Sequence, residues 1–255
     1  MKFAIVRGQR EEAQPNLSGE CPVCGARVVA KCGEVRVWHW AHIGRRYCDP
    51  WWENETEWHR RWKNEFPTDW QEYVHNAADG ERHIADVRTA DGRVLEFQHS
   101  YINPMERRSR ESFYPKLVWV VHGLRRQRDR PQLIRAWNEG IAIGNSVGLR
   151  KAYSDDSALL REWGSSSALV LFDLGAADPL LWLIGASANG WAYLQALPRA
   201  QFLDWHRGAE LKIARQLDAF AKDAPGLITA YESSLRNRSV IVPITPVGRH
   251  RRFRL

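Results

Sequence analysis

Long apolar runs are missing from this 255-residue chain. Nothing approaches the ~18 residues of a membrane span, so no transmembrane segment is expected. The opening MKFAIVRGQREE has too short an apolar run for a secretory signal and lacks a small-residue cleavage site. A cytoplasmic location follows as the expectation. Cysteine is scarce, at four residues. That is too few for a disulfide-built scaffold, and a cytoplasmic chain disfavours disulfides in any case. Clear repeats and long low-complexity segments are absent too, which excludes solenoids and arrays.

Positive charge and tryptophan are abundant. The net charge is +7, with a pI near 9.4, and Arg far outnumbers Lys. Guanidinium forks grip phosphate oxygens two at a time, so the bias suits a nucleic-acid partner; a GC-rich genome gives the same bias with no function attached. Most of the thirteen Trp are expected in the core or at its rim, with a few free to stack on unpaired bases. The length suffices for one large domain or two modest ones.

Three of the four cysteines, with a histidine, read as a metal site. Cys21-Pro-Val-Cys24-Gly has the form of a zinc knuckle, two thiolates aimed at one point with Gly25 allowing a tight turn. Val28 to Lys31 and Val35 to Trp40 read as a hairpin around Cys32-Gly33. It returns His39 and His42 toward the knuckle. His42 and Cys48 are the first candidates for the second ligand pair, with His39 in reserve, since alternation turns it away from His42. Cys32 sits at the hairpin tip, badly placed to reach the same ion. A disulfide or four unrelated thiols are the alternatives. The expected role of zinc is structural, because a small hairpin cannot bury enough surface to hold itself.

From Asp49 to Phe66 the sequence predicts a helix opened by Pro50 and early acids. Glu55, His59 and Lys63 then fall on one stripe and Trp58 and Trp62 on a neighbouring one. A solvent-facing salt-bridge ladder would give the same stripe. His83 to Ser100 predicts two strands around Ala90-Asp91-Gly92, Gly92 taking the positive φ that such a loop needs. Counting outward pairs Thr89 with Arg93, Val87 with Leu95 and Asp86 with Glu96. Asp86 and Glu96 then share a face, Gln98 follows on it, and Leu95 and Phe97 turn to a core. Two adjacent carboxylates want a counter-charge, and hard oxygen ligands suit Mg²⁺ or Mn²⁺. A polar hairpin face paired with Arg82, Arg88 and Arg93 is the alternative.

In this order the pieces resemble the competence protein CoiA-like family: Cys21-x2-Cys24, His39-Trp-Ala-His42, Cys48, Glu55-x3-His59-x3-Lys63, Arg82-x3-Asp86, Glu96-Phe-Gln98, an Arg-rich helix through Arg107, Arg110 and Tyr114, and LVWVV from 117. The similarity spans about residues 1 to 123. It implies an α+β chain with three parts. These are a zinc-binding β-hairpin module (1–50), a restriction-endonuclease-like PD-(D/E)XK core (51–123) and a C-terminal α/β region (124–255). The implied activity is metal-dependent hydrolysis of DNA in uptake or processing. Glu55, Asp86 and Glu96 would hold Mg²⁺ or Mn²⁺, and His59 or Lys63 would steady the phosphate. Gln98 stands where the wider nuclease group often has Lys, and an amide only orients by hydrogen bonds. Arg107, Arg108 and Arg110 would track the DNA backbone or form a solvated face. The alternatives are a zinc-stabilised nucleic-acid-binding protein without cleavage and an adaptor in DNA recombination, with protein partners on the C-terminal half.

That half predicts helices over 131–141, 157–164 and 200–222, and strands from 168, 180, 191 and 239. Asp173 and Asp178 read as turn residues. The basic tail GRHRRFRL reads as a solvated end or a nucleic-acid arm.

Overall fold

A computed structural model describes residues 1–44, 48–49, 51, 55–77, 80–143, 148–186, 189–208 and 211–239. The strand expected over 239–244, the basic tail and the helix start expected at Pro50 lie outside the described residues.

The N-terminal module is a five-stranded antiparallel sheet, larger than the expected hairpin. Its strands are β1 (Phe3–Val6), β2 (Gln9–Glu12), β3 (Ser18–Glu20), β4 (Arg27–Lys31) and β5 (His39–His42), in the order β2-β1-β3-β4-β5. Arg7 and Gly8 both take positive φ between β1 and β2, the turn that matches strand twist in a two-residue hairpin. The all-polar Gln-Arg-Glu-Glu of β2 carries no apolar alternation, so only its pairing with β1 makes it a strand. β5 begins at His39, opposite Lys31, and not at Val35, which stands in solvent. Ala4, Val28 and Trp40 form the module's small core.

The second sheet has nine strands and takes in everything else. α1 (Glu57–Asn64) is followed by β6 (Gln71–Asn76), β7 (Arg82–Arg88), β8 (Val94–Gln98), α2 (Pro104–Phe113) and β9 (Leu117–His122). Next come α3 (Asp129–Glu139), β10 (Ile141–Ala142), β11 (Leu149–Tyr153), α4 (Ala158–Trp163), β12 (Leu169–Asp173), β13 (Leu180–Ala186) and β14 (Trp191–Leu197). The last helices are α5 (Arg199–Arg207) and α6 (Leu211–Ser239). The strand order is β10-β11-β14-β13-β12-β9-β8-β7-β6. The expected boundary at 123/124 falls just after β9, and β9 and β12 pair in parallel across it. The expected helix over 200–222 is two helices, because Gly208 at φ 69° ends α5.

One face of this sheet packs Trp119, Leu133, Trp163 and Phe172 under α2, α3 and α4. The other packs Trp62, Phe97, Val120, Trp182 and Phe202 under α1, α5 and α6. β8 is an interior strand between β7 and β9, buried along its whole length and parallel to β9. The β7–β8 hairpin is therefore internal, not a surface hairpin. Among the described residues no helix is long and apolar enough to cross a membrane.

Candidate metal centre and acidic crevice

The knuckle turns between β3 and β4. Gly25 sits at φ 70° and its N–H donates to the Cys21 carbonyl at 2.9 Å. His42 pairs with Val28 at the start of β4, which brings its ring over the knuckle. Cys21 Sγ lies 3.6 Å from Cys48 Sγ, and Cys24 Sγ 3.4 Å from His42 Nε2. All four ligand atoms fall within 4.8 Å of one another. Tetrahedral zinc with ordinary Zn–S and Zn–N bonds needs edges of about 3.5–3.8 Å, so the donor set fits. Burial and the neighbouring thiol of Cys21 push the Cys48 thiol far above its usual range. A bound dication reverses that cost by stabilising thiolate. His39 and Cys32 are outside the cluster; His39 Nδ1 instead lies 2.8 Å from the Val37 carbonyl.

The six residues singled out as catalytic candidates, Glu55, His59, Lys63, Asp86, Glu96 and Gln98, line one crevice. The sheet creates it by parting. Val87 pairs with Leu95 and Arg88 with Val94, as expected, and the ladder stops there. Asp86 and Glu96 do meet, but through side chains. The Asp86 N–H donates to Glu96 Oε1 at 3.4 Å, and the Phe97 N–H donates to Asp86 Oδ2 at 2.9 Å. Each carboxylate takes an amide that a continued ladder would have used.

Glu55 reaches the crevice from before α1, not from its stripe. Thr56 caps the helix, its hydroxyl accepting from the His59 N–H at 3.3 Å, so helical geometry starts at Glu57. Glu55 is held by Arg60 at 2.8 Å and by Lys63 at 2.7 Å. The Lys63 ammonium also lies 2.9 Å from Glu72 and 3.9 Å from Asp86. Burial opposes its charge, but Glu72 and Glu55 outweigh burial and hold its pKa above the usual lysine range. Burial likewise opposes the charge of Glu55, and Lys63 and Arg60 together outweigh it. Glu96 differs. Burial, with Asp86 beside it, pushes its carboxyl up to about 8 despite Arg110 at 3.1 Å. Gln98 is buried, and its amide donates to the Ser100 carbonyl at 3.2 Å.

Among the described residues, the Cys/His cluster is the one group of three or more such side chains close enough to share an ion. Glu55, Asp86 and Glu96 do not make a second, and Glu55 is ion-paired with Lys63 and Arg60.

Two crevice residues carry no sequence signal. Glu72 is buried at φ 45° and accepts from the N–H groups of Lys2 (2.6 Å) and Phe3 (3.0 Å) in the zinc module. Asp49, next to Cys48, accepts from the N–H of Ile84 at 2.8 Å and lies 2.9 Å from His83 Nδ1. The structure changes the reading of two arginines and of one aspartate. Arg107 and Arg110 face inward, Arg107 on Ser165 and Glu111 and Arg110 on Glu96, so of the three arginines only Arg108 is exposed. Asp173 opens the turn after β12, its Oδ1 accepting from the Gly175 N–H at 3.0 Å, but turn-making is not its whole role. It is buried and accepts from the indoles of Trp58 and Trp62 at 2.8 and 2.9 Å and from Arg199 at 2.6 Å. Asp178 does close a turn, its N–H donating to the Gly175 carbonyl.

No curated protein and no solved structure matches the chain. Residues 10–50 match the family model described as competence protein CoiA, N-terminal domain. The match takes in β2 to β5 and all four residues of the metal cluster. By its N-terminal module, the chain is consistent with a CoiA-like family and a competence-related role.

Proposed function

We propose that the chain is a metal-dependent nuclease that hydrolyses DNA phosphodiester bonds at the acidic crevice, on a PD-(D/E)XK-like arrangement of α1, β7, β8, α2 and β9. The observation that carries this reading is the parting of β7 and β8, which sets Asp86 and Glu96 side by side under a buried lysine. A binding-only protein has no use for gathered acids beside phosphates.

The charge balance supports the same reading. Glu55 and Glu72 are balanced by Lys63 and Arg60 together, while burial and Asp86 disfavour the charge of Glu96. A divalent cation at Asp86 and Glu96, with Glu55 reached through water, would activate a bound water and neutralise the scissile phosphate. Glu96 must give up its proton to serve there. Lys63 keeps a fixed positive charge beside Asp86, and Gln98 and His59 offer hydrogen bonds at the wall.

One observation favours a second reading, DNA binding without cleavage. The lysine of the wider nuclease group is replaced by Gln98, and Lys63 is already engaged by two carboxylates. Glu96→Ala separates the two. The nuclease reading expects cleavage to be lost while DNA affinity stays equal or tightens, since the site loses a group able to carry negative charge. Cleavage that survives the substitution contradicts it.

A further inference from the structure

The face of the sheet under α1 changes character at the C-terminal ends of its parallel strands. Phe97, Val120 and Leu171 lie in that apolar core. Two residues on, alternation brings His99, His122 and Asp173 to the same face at the ends of β8, β9 and β12. The His99 and His122 rings stack at 4.8 Å, and His59 of α1 lies 5.9 Å from His99. Trp58 packs 4.8 Å from His122. The buried Nδ1 of His122 has no hydrogen-bond partner among the described residues.

Two guanidinium groups stand near the rings, one of them, Arg125, ion-paired with Glu162 and Asp129. Arg61 of α1 acts on His122, and Arg125, in the turn after β9, acts on His99. Asp173 is the carboxylate at the end of the row, and the two indoles and Arg199 already bind it. Burial and His99 push His122 down to about 4, and burial with Arg125 lowers His99, so both rings are neutral in the unliganded protein at neutral pH. The C-terminal ends of parallel strands are the ligand side of open α/β sheets. His59 belongs to the row and also lines the acidic crevice.

A crevice rich in carboxylates repels a polyanion, and Arg107 and Arg110 are spent on internal partners. Some other group must hold the strand. We propose that His59, His99 and His122 form a phosphate subsite that grips the nucleic-acid backbone beside the crevice. This rests on the crevice being a nucleic-acid site. An anion there recharges the imidazoles, so binding takes up protons and tightens as pH falls.

The test is histidine NMR on the full, zinc-loaded chain without added Mg²⁺ or Mn²⁺. The ring resonances of His99 and His122, assigned with His99→Gln and His122→Gln, are titrated with pH alone, with inorganic phosphate, and with a short single-stranded oligonucleotide. Both ligands are expected to tighten proton binding at the two rings by about tenfold. If either variant misfolds, the two rings are assigned in the wild type by through-bond correlation to their backbone, and the wild-type titrations carry the result. Titrations unmoved by phosphate overturn the subsite. A response to phosphate but none to the oligonucleotide, bound or not, overturns its role in gripping a strand. Cleavage is measured separately with Mg²⁺. Cutting without an imidazole response sinks only this inference, and an imidazole response without cutting sinks only the nuclease reading.

Discussion

Glu96 is the residue on which chemistry and stability pull in opposite directions. Its folded pKa of about 8 stands above the ordinary 4.5. The folded chain therefore holds that proton more tightly than the unfolded chain. The associated stability is full below the unfolded value and is lost as pH rises toward 8 and beyond. Glu96→Gln keeps the shape and never ionises. The wild type is expected to lose on the order of a few kcal/mol between pH 5 and pH 8.5 that the variant retains. Thermal unfolding across that range measures it, and equally steep falls in both proteins would mean Glu96 is charged in the fold. Such residue-level facts were partly legible beforehand. The alternation around Gly92 put Asp86 beside Glu96 and Gln98 after them. The stripe put Glu55 and Lys63 on one side, but their contact was not legible, since it depends on Glu55 lying outside the helix. Glu72 was illegible, because its role depends on a positive φ and on the N–H groups of Lys2 and Phe3, about seventy positions away.

Among the elements, α1 shows how a helix is tied to a sheet by polar contacts inside an apolar seam. Trp58 and Trp62 bury their rings against Phe97, and both indoles donate to Asp173 at the end of β12. Asp173→Ala would leave two buried donors and Arg199 without their acceptor. A loss of about 3–5 kcal/mol is expected, read from the urea midpoint. A loss under about 1 kcal/mol would show that apolar packing alone docks the helix. Apolar runs made β9 and β12 to β14 readable from sequence, and α2 came from the family resemblance. β2, β3 and β6 were not, since their polar or mixed residues become strands only by pairing with neighbours. The start of α1 was misplaced for a related reason. Pro50 and the acids after it suit a helix start, but Thr56 supplies the cap.

Across the whole molecule the two sheets meet at the crevice. The first residues of the zinc module fix Glu72, Glu72 fixes Lys63, and Lys63 touches Glu55 and Asp86. Cys21 and Met1 are in contact, and Met1 itself lines the crevice. One zinc per chain is expected by elemental analysis. Its removal by Cys48→Ser should speed hydrogen exchange at the Lys2 and Phe3 amides as well as in β4 and β5. Exchange that rises only near the knuckle would show that the module is merely attached. This linkage spans two parts that read as separate in the sequence.

The most direct test of the account is a cleavage assay on labelled single-stranded and duplex DNA. It uses zinc-loaded protein with and without Mg²⁺ or Mn²⁺, beside Asp86→Ala. Metal-dependent cutting that disappears in the variant is the expected result. Folded, zinc-loaded protein that binds DNA and never cuts it would contradict the account and leave a binding module whose acids serve only to hold Lys63.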